Sequence, residues 1–345
     1  MKKYIAGLVI VLVVVGAVPV QSAPADTGHL VVLMYHRFDA GGSISTPFSD
    51  FKRQMEYLQS EEYHFVTLDE VRRHLKEGRP FPAKSVLVTI DDGYESTYTH
   101  AFPYLKKNDI PWVLYVYTEA IEKGYGSSLN WNQIEEMAES GVPIENHSYS
   151  HTHPPREEFK KGDWYRREIQ SPEDLLVKRL NQPNRSYALP YGEYDTEIIQ
   201  ALKERKGYRV VWGIDPGVVN PENPAPILPR FGINGSTTWE QFKQKLNRLP
   251  LSVESMTPAP GEQLSAGDTI RIQPKHPDRY RRGPINVFLS EAGALDWQWS
   301  EDGSSIIVRT PGKMQEPWNR LILTVYDSEF GRYRYFSRGY VTESS

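Results

Sequence analysis

Three short runs carry side chains that could do chemistry together. Asp91 and Asp92 are adjacent carboxylates within Thr89-Ile90-Asp91-Asp92-Gly93, directly after an apolar stretch. His147 and His151 stand four apart in His147-Ser148-Tyr149-Ser150-His151, with a further histidine at 153, in a chain that has only 9. Ala188-Leu189-Pro190-Tyr191-Gly192 runs an apolar stretch into a Pro/Gly turn. Alone, each run is ambiguous. Asp-Asp-Gly is also a turn sequence, a histidine pair can be incidental, and Pro-Tyr-Gly says only that the backbone bends. Together they offer one carboxylate and two imidazoles, an N/O set that leaves positions open on a divalent cation. A second carboxylate beside that set can take a proton from water. This is the chemistry of metal-assisted hydrolysis, in which the cation polarises a carbonyl and draws the pKa of bound water towards about 7. The chain has no Cys, so any metal must be held by N and O ligands, and thiol nucleophiles and disulfides are excluded.

The elements that must position these residues are legible in the apolar runs. Leu30 to Tyr35, Ser85 to Ile90, Trp112 to Tyr117, Val142 to Ile144, Tyr187 to Leu189 and Arg209 to Trp212 lack strict alternation, as strands buried on both faces do. Amphipathic stretches separate them. Thr46 with Pro47 reads as an N-cap followed by the first helical position, ahead of Phe48, Phe51, Met55 and Leu58. Thr67 and Glu70 read as a capping box ahead of Val71 and Leu75. Alternation of strand and helix predicts an α/β fold with a parallel sheet, open or closed into a barrel, whose functional groups gather at the C-terminal strand ends.

After Pro250 the texture changes to short β-rich segments: Thr269 to Gln273, Ile285 to Leu289, Ser305 to Arg309, Leu321 to Tyr326 and Arg332 to Phe336. Turn signals such as Pro260-Gly261, Asp302-Gly303 and Pro311-Gly312 lie between them, predicting a β-sandwich that resembles Ig-like domains. The expected organisation is a signal segment over 1–25, a catalytic unit over 26–250 and the β-sandwich over 251–345. The signal reading rests on Lys2 and Lys3, the uncharged apolar run from Tyr4 to Val20, and Ala23-Pro24-Ala25. The same run is barely long enough to span a bilayer as an uncleaved anchor. Either way the expected workplace is secreted or extracellular, with association to the cell surface, membrane or wall. With 40 Lys and Arg against 44 Asp and Glu, the formal net charge is −4, and no long basic run appears, which argues against a nucleic-acid partner. The 8 Trp and 21 Tyr serve core packing or the walls of a sugar cleft.

The ordered set Thr-x-Asp-Asp-Gly, His-Ser-x-x-His and Pro-Tyr-Gly resembles the polysaccharide deacetylases, the NodB-like carbohydrate esterases, over roughly residues 30 to 250. The resemblance implies an irregular (β/α) barrel of about seven strands. It implies Asp91 as general base, with Asp92, His147 and His151 as ligands of one divalent ion, zinc first and Co, Ni or Fe as alternatives. It further implies that the Tyr191 N–H helps to hold an oxyanion. Two departures stand out. Ala188 occupies the place of the family's usual base-orienting arginine, so another cation is needed, and Arg230 in Leu228-Pro229-Arg230-Phe231 is the candidate. No histidine occurs between Gly192 and Leu249, where the family usually supplies its general acid, but Met34-Tyr35-His36-Arg37 ends the first apolar run. Both departures resemble the subgroup that deacetylates poly-N-acetylglucosamine, whose barrel is circularly permuted so that the acid histidine comes first. His36 is then the expected acid, with His153 its rival, and a neighbouring carboxylate is expected to raise the His36 pKa. The implied partner is an acetylated polysaccharide (poly-N-acetylglucosamine, chitin-like polymer or peptidoglycan) that loses N-acetyl groups as acetate. An O-acetyl esterase and a non-catalytic surface glycan-binding protein are the competing readings.

Overall fold

The computed structural model of the protein describes residues 28–342, apart from 40, 184, 205–207, 209 and 223. The expected signal segment lies outside the described residues. Eight parallel strands form the first sheet: β1 (Leu30–Tyr35), β2 (His64–Phe65), β3 (Ser85–Ile90), β4 (Trp112–Val116), β5 (Ile144–Asn146), β6 (Ser186–Ala188), β7 (Val210–Trp212) and β8 (Phe231–Gly232). Seven of them lie in the order β7-β6-β5-β4-β3-β1-β8, and β2 pairs off this path with β3. The two ends approach one another, because Trp212 of β7 bridges Leu228, just ahead of β8. This parallel half-barrel agrees with the expected irregular (β/α) architecture.

Every residue of β1, β3 and β4 is buried, which is why these strands read as unbroken apolar runs rather than alternating ones. Helices cover the outside. α1 (Phe48–Ser60) buries Phe51, Met55 and Leu58 against the sheet, and α2 (Leu68–Glu77) starts with the expected reciprocal Thr67/Glu70 capping box. The cap expected at Thr46 is not made. Helix α1 begins one residue later, with Pro47 at the cap position and no side-chain cap bond, because the Thr46 hydroxyl donates instead to the Ile233 carbonyl at 3.1 Å. Here a tertiary bond outcompetes a local one.

Beyond the half-barrel come β9 (Leu249–Pro250), β10 (Val253–Thr257), β11 (Gln263–Leu264), β12 (Thr269–Pro274), β13 (Ile285–Leu289), β14 (Gly293–Leu295), β15 (Trp297–Trp299), β16 (Ile306–Arg309), β17 (Trp318–Asp327) and β18 (Arg332–Thr342). One sheet has the order β10-β12-β16-β15, and the other β11-β18-β17-β13-β14 with β9 added alongside β18. Their shared core includes Ile270, Ile272, Val287, Val308, Leu321 and Leu323. These sheets also grip the half-barrel. Gly339 N donates to the Tyr194 hydroxyl at 2.8 Å, Trp318 Nε1 donates to the Tyr194 carbonyl at 3.2 Å, and Arg320 Nε donates to the buried Asp215 carboxylate at 2.7 Å. Gly339 has to be glycine, since a Cβ there would sit 2.0 Å from the Trp318 ring. The C-terminal sheets thus brace the two loops that follow β6 and β7.

Candidate active site

The three runs singled out in the sequence meet at the C-terminal ends of β3, β5 and β6. Asp91 and Asp92 follow β3 immediately, and Asp91 N–H donates to the Tyr35 carbonyl at the end of β1. Asp92 and Gly93 both take left-handed backbone, with φ of 74° and 75°, so the chain reverses sharply and the two carboxylates face different neighbours. His147 follows β5 and donates its N–H to the Val116 carbonyl. Ser148 and His151 are also left-handed, with φ of 74° and 54°, and the His151 N–H donates to Ser148 Oγ at 3.0 Å. That tight loop folds the second imidazole back beside the first. Positive φ at Asp, Ser, His and, in the third run, Tyr191 (φ 55°) concentrates backbone strain at one place, as functional sites do.

Asp92, His147 and His151 each offer one ligand atom, and these atoms lie within 4.8 Å of one another. Asp92 Oδ1 stands 3.3 Å from His147 Nε2 and 3.1 Å from His151 Nε2. Donor–metal distances of about 2.0–2.2 Å place neighbouring donors roughly 3.0–3.4 Å apart, so the spacing fits a first-row divalent ion. The protonation pattern points the same way. His147 Nδ1 lies 2.7 Å from the Ala188 carbonyl, which can only accept, so Nδ1 carries a ring proton and Nε2 is the nitrogen turned towards Asp92. Asp92 Oδ1 is buried and has no hydrogen bond of acceptable geometry. Two imidazole nitrogens converging on one buried carboxylate oxygen are the donor set of a cation site. His153 stays apart from this group, its Nδ1 2.9 Å from Glu193 Oε2 and its ring stacked on Tyr191 at 3.8 Å.

Asp91 is held differently. Arg230, fully buried just ahead of β8, forks onto it with Nη1 2.9 Å from Oδ1 and Nη2 2.7 Å from Oδ2. The same guanidinium donates to Thr89 Oγ1 and, through Nε, to the Gly213 carbonyl. Arg230 thus fixes the orientation of the Asp91 carboxylate. Burial alone would raise the Asp91 carboxyl, but the Arg230 charge, helped by His147 and His36, brings it below its ordinary value and keeps it ionised. Asp215, which the sequence reading did not single out, belongs to this support. Its carbonyl accepts the Arg230 N–H at 3.0 Å, while its carboxylate accepts from Arg320 and from the Tyr194 hydroxyl. Nothing local marks Asp215, because none of its partners falls at a helix or strand spacing from it and Arg320 lies 105 positions away.

His36 follows β1 within electrostatic reach of Asp92, Asp91, Arg230 and His147. Its ring makes no hydrogen bond or ion pair among the described residues, so it is not a histidine tied down beneath a loop. The expected rise in its pKa does not occur. Burial lowers it, and the pull of Asp92 and Asp91 only partly opposes this. The Tyr191 N–H has no backbone acceptor among the described residues, and Tyr191 is 42% exposed. Tyr191 and Tyr117 flank His151 at ring distances of 4.8 and 5.1 Å. Burial, and then the Asp92 charge, pushes the Tyr117 phenol up to about 12, so it stays a hydrogen-bond donor. These aromatic walls suit the apolar face of a sugar.

Comparison with known proteins agrees with this geometry. The polysaccharide deacetylase family profile matches residues 78–211. The chain is 28% identical over 223 residues to a poly-β-1,6-N-acetyl-D-glucosamine N-deacetylase of Staphylococcus epidermidis, covering 59% of this chain and 75% of that protein. Among solved structures it is similar to IcaB from Ammonifex degensii, with 30% identity, a TM-score of 0.56, and coverage of 64% of this chain and 96% of that one. It is also similar to the deacetylase PplD of Streptococcus pyogenes, solved in complex with acetate, at 26% identity and a TM-score of 0.56, covering 63% of this chain and 98% of that one. The chain order, with His36 after the first strand and Arg230 before the last, is consistent with a permuted barrel. With its three motifs gathered at adjacent strand ends and nearly the whole of a solved relative matched, the chain belongs to the polysaccharide deacetylase family.

Proposed function

We propose that this chain removes N-acetyl groups from an extracellular polysaccharide containing N-acetylglucosamine and releases acetate. The observation that carries the reading is the pair of neighbouring carboxylates in opposite settings. Asp91 is locked by Arg230, while Asp92 is turned towards two imidazoles. Asp92, His147 and His151 would hold one divalent ion, zinc by preference for a two-imidazole, one-carboxylate set. When bound, such an ion supplies a Lewis acid for the acetamide carbonyl and lowers the pKa of water. Asp91, ionised and oriented by Arg230, takes the proton of the attacking water. The Tyr191 N–H donates to the oxygen of the tetrahedral adduct, a contact worth roughly 3–4 kcal/mol in comparable sites. His36 hands a proton to the departing amine, and its lowered pKa makes the charged ring a strong donor once formed. Residues 26–250 would form the catalytic unit, and the Ig-like β unit over 251–345 would brace it. The similarity to the staphylococcal poly-N-acetylglucosamine deacetylase favours that polymer, and a signal over 1–25 would deliver the enzyme outside the cell.

The test is acetate release from β-1,6-linked N-acetylglucosamine oligomers, chitin oligomers, peptidoglycan and acetylated xylan under one set of conditions. Preference for the β-1,6-linked amide is expected. Release from xylan alone would replace the reading with an O-acetyl esterase, and no release from any of them would favour a glycan-binding role.

The role of His36 is separable by leaving group. His36→Ala should keep fold and metal but lose about 10²-fold or more in kcat on an amide. An activated ester, whose leaving group needs little protonation, should suffer far less. Equal losses on both would indicate a binding or structural role, and an intact amide rate together with an inactive His153→Ala would move the acid to His153.

A further inference from the structure

A second concave surface lies away from the catalytic residues, between helix Trp239–Leu246 and the outer face of the sheet formed by β13, β17 and β18. It is a groove of about 520 Å³, within the range of small-ligand sites. Strand alternation creates its floor. On β13, Ile285, Val287 and Leu289 point inwards and are buried, so Phe288 points outwards and is 40% exposed. Tyr333 and Tyr335 of β18 line the same groove, with Phe231 on the half-barrel side. Two cations complete it. The Arg248 guanidinium lies over the Tyr335 ring at 4.7 Å and the Tyr333 ring at 5.5 Å, and the Lys245 ammonium is 5.7 Å from the Phe231 ring.

No carboxylate lines this groove among the described residues, and neither Lys245 nor Arg248 makes an ion pair there. Burial lowers the Lys245 pKa, and the adjacent Arg248 charge lowers it further, with no acidic group opposing them. Two partly buried like charges without a counter-charge are unfavourable when the groove is empty and favourable when an anion enters. The other polar lining is carboxamide and hydroxyl, which suits sugar hydroxyls, and the rings suit sugar faces.

We propose that this groove binds an acidic polysaccharide, with sugar rings on the aromatic floor and a carboxylate or phosphate between Lys245 and Arg248. On the catalytic reading above, the acetylated substrate is neutral and its product cationic. The occupant is therefore a second, acidic glycan that holds the enzyme near its substrate.

The test is direct binding by the full chain to a uronate-containing oligosaccharide, a phosphorylated oligosaccharide, a neutral chitin oligomer and phosphatidylglycerol vesicles. Binding to one or both acidic polymers is expected, weakening with salt, and the two probes tell carboxylate from phosphate as the anion. Lys245→Gln with Arg248→Gln should weaken binding about tenfold or more, and Phe288→Ser should weaken it without affecting the salt dependence. Turnover of a short soluble acetylated substrate should be unchanged in both variants, which also shows that they fold. Equal affinity for the neutral oligomer, an acidic-polymer affinity that survives the double substitution, or binding to vesicles but to neither polymer would each overturn the proposal.

Discussion

Replacing His147 and His151 together by alanine is expected to reduce bound divalent ion from about one per chain to nearly none and to abolish acetate release. Both imidazoles face one oxygen of Asp92, and no other group of three such ligands occurs among the described residues, so no alternative set can take over. The substitution also removes the His147 bond to the Ala188 carbonyl and strands the buried Asp92 carboxylate. A melting curve and a metal analysis should therefore accompany the rate. A folded double variant that keeps its ion would show that the ion sits elsewhere.

The second large effect is expected at Asp91. Asp91→Asn should keep the ion with affinity within severalfold and lower kcat by at least about 10²-fold. The Asp91 oxygens are spent on Arg230 rather than on the imidazoles, which sets Asp91 apart from the Asp92, His147 and His151 cluster. Stability should fall too. The Arg230–Asp91 pair is fully buried, and breaking such a pair by removing one partner costs about 3–5 kcal/mol. An asparagine keeps one acceptor but turns its amide N–H groups towards a guanidinium, so part of that cost is expected. Loss of the ion in Asp91→Asn would make Asp91 a ligand and require the roles to be redrawn.

Much of this site was legible in the sequence, for reasons that can be stated residue by residue. The bounds of β1 and β3 follow from apolar runs buried on both faces, and a carboxylate pair directly after such a run has to sit at a strand end. Strand β5 begins later than its apolar run suggests, at Ile144, and includes Asn146, whose carboxamide is satisfied internally by the Ile169 carbonyl. The β8 pair Phe231–Gly232 is too short to show any period. Arg230 was reachable only by asking which cation could replace the one missing at position 188. The left-handed backbone at Asp92, His151 and Tyr191 left no trace in residue type, since none of the three is glycine. The brace through Tyr194, Asp215 and Arg320 was equally hidden, because its partners lie 21 and 105 positions from Asp215 and no local pattern joins them. In the C-terminal sheets, β17 and β18 extend well beyond their apolar centres. Their 10 and 11 residues include Arg, Ser and Asn that read as loop but pair across the hairpin.

The most direct test is a titration of metal-free protein with a divalent ion, following acetate and free amine together from a β-1,6-linked N-acetylglucosamine oligomer. Acetate and amine should appear in equal amounts, and the rate should rise to a plateau at about one ion per chain. Full activity in the metal-free protein, or acetate without a matching amine, would contradict amide hydrolysis at the Asp92, His147 and His151 cluster.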